Sequence, residues 1–279
     1  MSLRQFSWSR LAGLASAALI LAGCASGPSQ QNVTLKIAAA DNLAPVLRQL
    51  ASEYVEQQPW VHIEFTFANT ATLEKHLQDP KQKFDIYIPG RAESVNALAD
   101  HGAIAPKSRF LLGINQLVVV ASEDSTLPLT VEALIDPKVQ KIAVADPNKH
   151  WLGFLTRQSL TNLRLLPVRE ATPLVGAPPA PDTVENLEAK LLVMDDEAGV
   201  LTAVKDGSAQ VGITFATYAD ARRDMRILSP LPLRTYETVG YNTAILRSAP
   251  NYDEAWNFLN FLRSQRARAV MQQNGLLSQ

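Results

Sequence analysis

A single cysteine, Cys24, stands among 279 residues, so no intramolecular disulfide is available and packing alone must hold the fold. An excess of either charge is also missing: 26 Lys and Arg face 27 Asp and Glu, a formal net charge of −1. The molecule as a whole therefore has no basic field to collect nucleic acid and no acidic field to collect polycations. No apolar run reaches the ~20 residues that a helix needs to span a bilayer. The Gly-x-Ser-x-Gly elbow, the Gly-x-x-x-x-Gly-Lys-Ser/Thr phosphate loop and the His-Glu-x-x-His metal motif are all absent. The four histidines, His62, His76, His101 and His150, are scattered, and none pairs with another at helical spacing. The carboxylates of Asp41 and Glu197 have the chemistry for acid–base work, but nothing around them identifies a substrate. The expectation is a protein that is not an enzyme and has neither a cofactor nor a resident metal. What the chain does have is apolar mass: 47 % of its residues are hydrophobic, ample for a core.

The first 24 residues are organised differently from the rest. Arg4 and Arg10 precede an apolar stretch from Leu11 to Leu21, and Leu21-Ala22-Gly23-Cys24 closes it with small residues. A basic start, a short hydrophobic segment and a small-residue end are the layout of a secretory signal peptide. The ending on cysteine resembles the lipobox of bacterial lipoproteins. That resemblance implies removal of residues 1–23 and a diacylglyceryl group on the Cys24 thiol, with more than one acyl chain as a stable anchor. The competing reading is a buried core cysteine behind a hydrophobic helix. Residues 24–32 are small and polar and read as a flexible tether. Ala25 follows Cys24 where Asp would favour inner-membrane retention in Gram-negative lipoproteins, so the resemblance implies the periplasmic face of the cell envelope, with the outer membrane favoured in such a source.

From Val33 onward strands and helices alternate. Strands are expected at 33–39, 62–67, 84–88, 116–121, 141–145 and 211–215. Helices are expected from Leu43, at 72–78 and 92–99, near 131–134, and at 153–163, 183–193 and 199–205. Two closing helices, 253–263 and about 265–273, end at Asn274-Gly275, a left-handed stop. Residues 173–181, rich in proline and glycine, read as a surface loop. This is an α/β pattern in two sections, with ligands expected at the carboxyl ends of strands and amino ends of helices.

Six segments in order carry a family resemblance: Ala38-Ala39-Ala40, the run from Phe67 to Leu73, Phe84 to Ile88, Leu117 to Ala121, Ala143 to Pro147, and Val211 to Phe215. They resemble the periplasmic molybdate-binding proteins of ABC importers over nearly all of the chain after the tether. The resemblance implies a two-lobed type II solute-binding fold, each lobe an open α/β sheet, with the ligand cleft between them. Lobe 1 would take residues 33–112 and 238–279, and lobe 2 residues 113–237. It further implies a monomer, with a small oxyanion as ligand and an ABC permease and ATPase as partners.

In that family hydroxyls, backbone N–H groups and helix N-termini hold the anion. Asp41 stands where most members have a Ser donor. Its carboxylate supplies acceptors only, and at ~4 Å it would repel a dianion by several kcal/mol. Asp41 also reads as a simple N-cap for the Leu43 helix. Thr70 keeps a hydroxyl, and reads equally as a cap for the Thr72 helix. Leu152 replaces a smaller Ala and leaves its backbone N–H as the donor. Glu197 stands where the family offers a backbone donor with an apolar side chain, and Phe215 where it offers a Tyr hydroxyl. Asp195, Asp196 and Glu197 read otherwise as a solvated acidic face at a helix N-terminus, and His150 abuts Trp151 beside the expected cleft. Acids with aromatic faces suit an organic cation or, through oxygen ligands, a divalent metal. An accessory or sensor lipoprotein with a repurposed pocket is the alternative to transport.

Overall fold

The structure is a computed structural model and describes residues 32–167, 187–219 and 224–278. The signal peptide, Cys24, the tether up to residue 31 and the 173–181 loop lie outside the described residues. The chain runs β1 (Val33–Ala40), α1 (Ala44–Gln57), β2 (Val61–Ala68), α2 (Thr70–Gln78), β3 (Ile86–Ile88), α3 (Ala92–Asp100) and β4 (Phe110–Asn115). It continues through β5 (Leu117–Ser122), β6 (Ile142–Ala145), α4 (Trp151–Asn162), β7 (Leu191–Met194), α5 (Glu197–Lys205), β8 (Val211–Phe215), α6 (Ala216–Ala219) and β9 (Met225–Pro230). It closes with β10 (Val239–Ile245), α7 (Tyr252–Leu262) and α8 (Gln265–Gln273).

Two five-stranded sheets result, in the orders β2-β1-β3-β10-β4 and β7-β6-β8-β5-β9. In each, strands linked through helices pair in parallel, whereas β10 in the first and β5 in the second run antiparallel to both neighbours. The chain passes between sheets at Gln116 and returns between β9 and β10, so the final strand and helices complete the first lobe.

The strands easiest to see in the sequence are those covered on both faces. Leu35, Ile37, Ala38 and Ala39 of β1, and all five residues of β8, are buried. Such strands read as near-continuous apolar runs. Asp85, fully buried just before β3, accepts the Lys36 amide at 2.8 Å and the Asn251 amide at 2.7 Å. It ties β1 to the entry of α7 with its charge satisfied, as a buried carboxylate requires.

The structure corrects some sequence expectations. No helix covers 187–193: Leu187–Lys190 is a 3-10 turn and Leu191–Met194 is β7, while 183–186 lie outside the described residues. A short run such as Leu-Leu-Val-Met does not distinguish strand from helix by itself, and parallel pairing with β6 decides it. Strands β4, β9 and β10 were not expected. β4 and β9 are edge strands, and β10 carries Gly240, Asn242 and Thr243 among its apolar residues, so none shows a clean pattern. The 131–134 segment is a 3-10 turn, and Gly275 takes φ 74° after α8, as expected for a left-handed stop.

Candidate functional site

The carboxyl ends of β1, β6, β7 and β8 converge on one cavity of about 410 Å³. Asp41 and Pro45 line it from the first sheet's side, and His150, Asp196, Glu197, Ala198, Leu201 and Tyr218 from the second. Its size falls within the ~300–1,000 Å³ of small-molecule sites.

Close packing at Gly153 helps set the geometry. A Cβ there would strike the Ala145 carbonyl oxygen and stand 2.6 Å from that of Asp146. Without it, the first turn of α4 lies directly on the end of β6, and His150 is brought to the cavity as the residue preceding that helix. Trp151, beside it, is already engaged. Phe154 stacks on its ring at 5.1 Å, and the Arg91 guanidinium lies 4.8 Å from its centroid. Arg91 precedes α3 in the first lobe, so this cation–π pair joins the two lobes.

Two backbone amides beside the cavity are taken by the chain's own carboxylates. Asp41 Oδ1 accepts the Asn42 amide at 2.9 Å, and Asp196 Oδ1 accepts the Gly199 amide at 2.8 Å as the cap of α5. Asp41 thus serves its neighbour's amide rather than capping α1, whose N-cap position is Leu43. Asp195 points to solvent, 89 % exposed, and pairs with Lys149 at 3.1 Å.

Glu197 behaves differently from both. It is 5 % exposed, and its Oε2 lies 3.4 Å from His150 Nε2, while Oε1 is buried with no hydrogen-bond partner. His150 Nδ1 is likewise buried and unpartnered. Burial, reinforced by the nearby charges of Asp41 and Asp196, pushes the Glu197 carboxyl up to about 8. The same surroundings raise Tyr218: burial first, then the charges of Glu197 and Asp41. Its hydroxyl donates to the Asp41 carbonyl at 3.3 Å, a second link between lobes.

Behind the cavity a buried polar network joins the lobes at the crossing. Asn115 Nδ2 donates to Thr217 Oγ1 and to the Tyr241 hydroxyl, each at 2.9 Å, and Thr217 Oγ1 donates to the Asn42 carbonyl at 2.7 Å.

Of the residues singled out from sequence, Asp41 and Glu197 line the cavity together. Thr70, Leu152 and Phe215 do not. Thr70 opens α2 half-buried near Gly90, and the cap of that helix is Asn69, whose Oδ1 accepts the Thr72 amide at 2.9 Å. The Leu152 side chain is fully buried in α4, and Phe215 is buried at the end of β8. The hydroxyl that reaches the cavity belongs to Tyr218, three residues past Phe215 on α6, and sequence reasoning missed it. Among the described residues, no group of three or more His, Cys, Asp or Glu is arranged to hold a metal ion, so the divalent-metal expectation gains no support.

Comparison with known proteins agrees with this geometry. YvgL of Bacillus subtilis, named as an ABC transporter substrate-binding lipoprotein, is 23 % identical over 265 residues, covering 94 % of each chain. The molybdate-binding protein ModA of Haemophilus influenzae is 24 % identical over 264 residues, 92 % of this chain and 94 % of that one. A solved structure from Clostridium difficile, described as the substrate binding domain of a molybdenum ABC transporter, superposes with a TM-score of 0.73 at 22 % identity. It covers 88 % of this chain and 99 % of its own. The sequence profile of one family matches residues 35–277, nearly everything beyond the N-terminal segment, and by that match the chain belongs to the bacterial extracellular solute-binding proteins.

Proposed function

We propose that this protein is the lipid-tethered solute receptor of an ABC importer, catching one small molecule between its lobes and delivering it to a membrane permease and its ATPase. The observation that carries the reading is a cavity lined from both lobes at strand carboxyl ends, where hinge closure buries a ligand. Asn115 and Thr217 stand at the pivot such a motion needs. The lipid on Cys24 is the anchor, and no helix among the described residues is long and apolar enough to cross a membrane.

Within that role the cleft is a poor site for the molybdate named for the relatives. The Asn42 and Gly199 amides are bonded to Asp41 and Asp196. Those two carboxylates would repel a dianion, and Phe215 brings no hydroxyl. A second reading, an accessory or sensor lipoprotein on the outer membrane, is favoured by Ala25 after Cys24. Reconstitution separates the two. With the permease and ATPase encoded beside its gene in proteoliposomes, the receptor stimulates ATP hydrolysis at least severalfold. No stimulation, or no such neighbouring genes, overturns the transport reading.

A further inference from the structure

We infer that the cleft takes a small organic cation bearing N–H donors, a primary diamine in kind, with Glu197 as its central acceptor and Asp41 and Asp196 flanking it. This rests on the reading of the cleft as a solute site and names the class of ligand.

The unsatisfied atoms indicate what is missing. Glu197 lines the cavity, and its Oε1 is buried with no hydrogen-bond partner. Leaving an ionised group unpaired in a buried site is unfavourable, so a ligand that supplies the N–H removes that loss. With the proton of His150 on Nε2, toward Glu197, its orphaned Nδ1 becomes a second buried acceptor without a donor. Once Glu197 gives up its proton, both vacancies call for donated hydrogens. A quaternary ammonium ion has the charge and lacks the hydrogens, and an oxyanion has neither.

The rest of the lining fits an alkyl amine. Pro45, Ala198 and Leu201 give an apolar wall for methylenes, and Tyr218 adds an aromatic side chain to the site. Two flanking carboxylates match a second ammonium group. The aromatic contact expected from Trp151 is not available in this arrangement, because Arg91 and Phe154 stack on its ring.

Proton linkage gives the inference a signature. Asp41, Asp196, His150, Tyr218 and Tyr241 surround Glu197, and burial, reinforced by the two acids, holds its carboxyl protonated at neutral pH. A cation favours the ionised form, so binding expels the proton. Affinity therefore rises with pH, by up to about tenfold per unit, and levels off above about 8.

The test is isothermal titration calorimetry of the purified full chain against putrescine, choline and molybdate at pH 6.5 and 8.5. Putrescine should saturate one site, bind at least tenfold tighter at pH 8.5, and exceed choline at least tenfold. Glu197→Gln, an uncharged near-isostere, should weaken putrescine at least tenfold and remove the pH dependence, with a melting curve confirming that it folds. Asp41→Asn should weaken it severalfold while keeping the pH dependence. Choline binding as tightly as putrescine overturns the N–H assignment. Molybdate saturating the cleft without putrescine overturns the cation class and leaves the receptor reading standing, since that reading is decided separately by stimulation of the transporter.

Discussion

Glu197 holds a proton that an exposed glutamate would have lost, and the folded chain is sensitive to that proton. Its carboxyl sits at about 8 when folded and near the ordinary value of 4.5 when unfolded. Between those values the folded state binds more protons than the unfolded state, so stability falls as pH rises. From this group alone the slope reaches at most about 1.4 kcal/mol per pH unit, and the loss is complete above about pH 8. Glu197→Gln should flatten that part of the profile, so denaturant unfolding of the ligand-free chain should show the variant gaining on the parent steadily from pH 5 to 8. A constant difference across that range would contradict the burial of an ionisable Glu197. Glu197 and Asp41 were legible in the sequence, because the resemblance to the molybdate-binding family sets Asp41, after Ala38-Ala39-Ala40, and Glu197, in Asp196-Glu197-Ala198-Gly199, at positions that hold a ligand in that family. Tyr218 was not, because the strand-to-helix turn after Phe215 decides which residue faces the cavity, and no periodicity in the sequence reports that turn.

At the scale of elements, the junction between β6 and α4 is the least forgiving part of the site. Gly153→Ala places a methyl group against two backbone carbonyls that cannot move without disturbing β6. Overpacking of this kind costs about 1–3 kcal/mol. It should also shift the start of α4 and with it His150, so lowered melting should accompany weakened ligand binding. The same contrast of local and distant causes explains how much of the fold could be read beforehand. The strands β1, β2, β5 and β8 declare themselves through apolar residues in their own sequence, and α7 and α8 through helical spacing. By contrast β4, β9 and β10 are strands because of the neighbours they meet in antiparallel pairing, and two of the three lie at sheet edges. The helix expected through residue 193 failed for the same reason, since the pairing partner of β7 lies some fifty residues earlier.

For the whole molecule, the receptor reading makes the balance between open and closed arrangements of the lobes the quantity to measure. Contacts that cross the cleft in this structure include the Tyr218 hydroxyl on the Asp41 carbonyl and Arg91 over Trp151. The second is worth about 0.5–2 kcal/mol. Arg91→Ala should therefore move the ligand-free population toward the open form by a few fold or more, seen as a larger radius of gyration in small-angle scattering. Saturating ligand should restore the parent value. An unchanged radius without ligand would mean that the hinge network at Asn115 alone sets the spacing.

Trp151 has a use of its own. Its indole contacts a guanidinium from the opposite lobe and stacks with the Phe154 ring, so opening of the lobes would change its surroundings. Indole emission depends on nearby charge and on contact with water, and separation of the lobes would remove the first and admit the second. The protein thus carries an optical gauge of its own closure, with no dye attached. Steady-state emission recorded against a Trp151→Phe control would follow the lobes in real time as ligand is added.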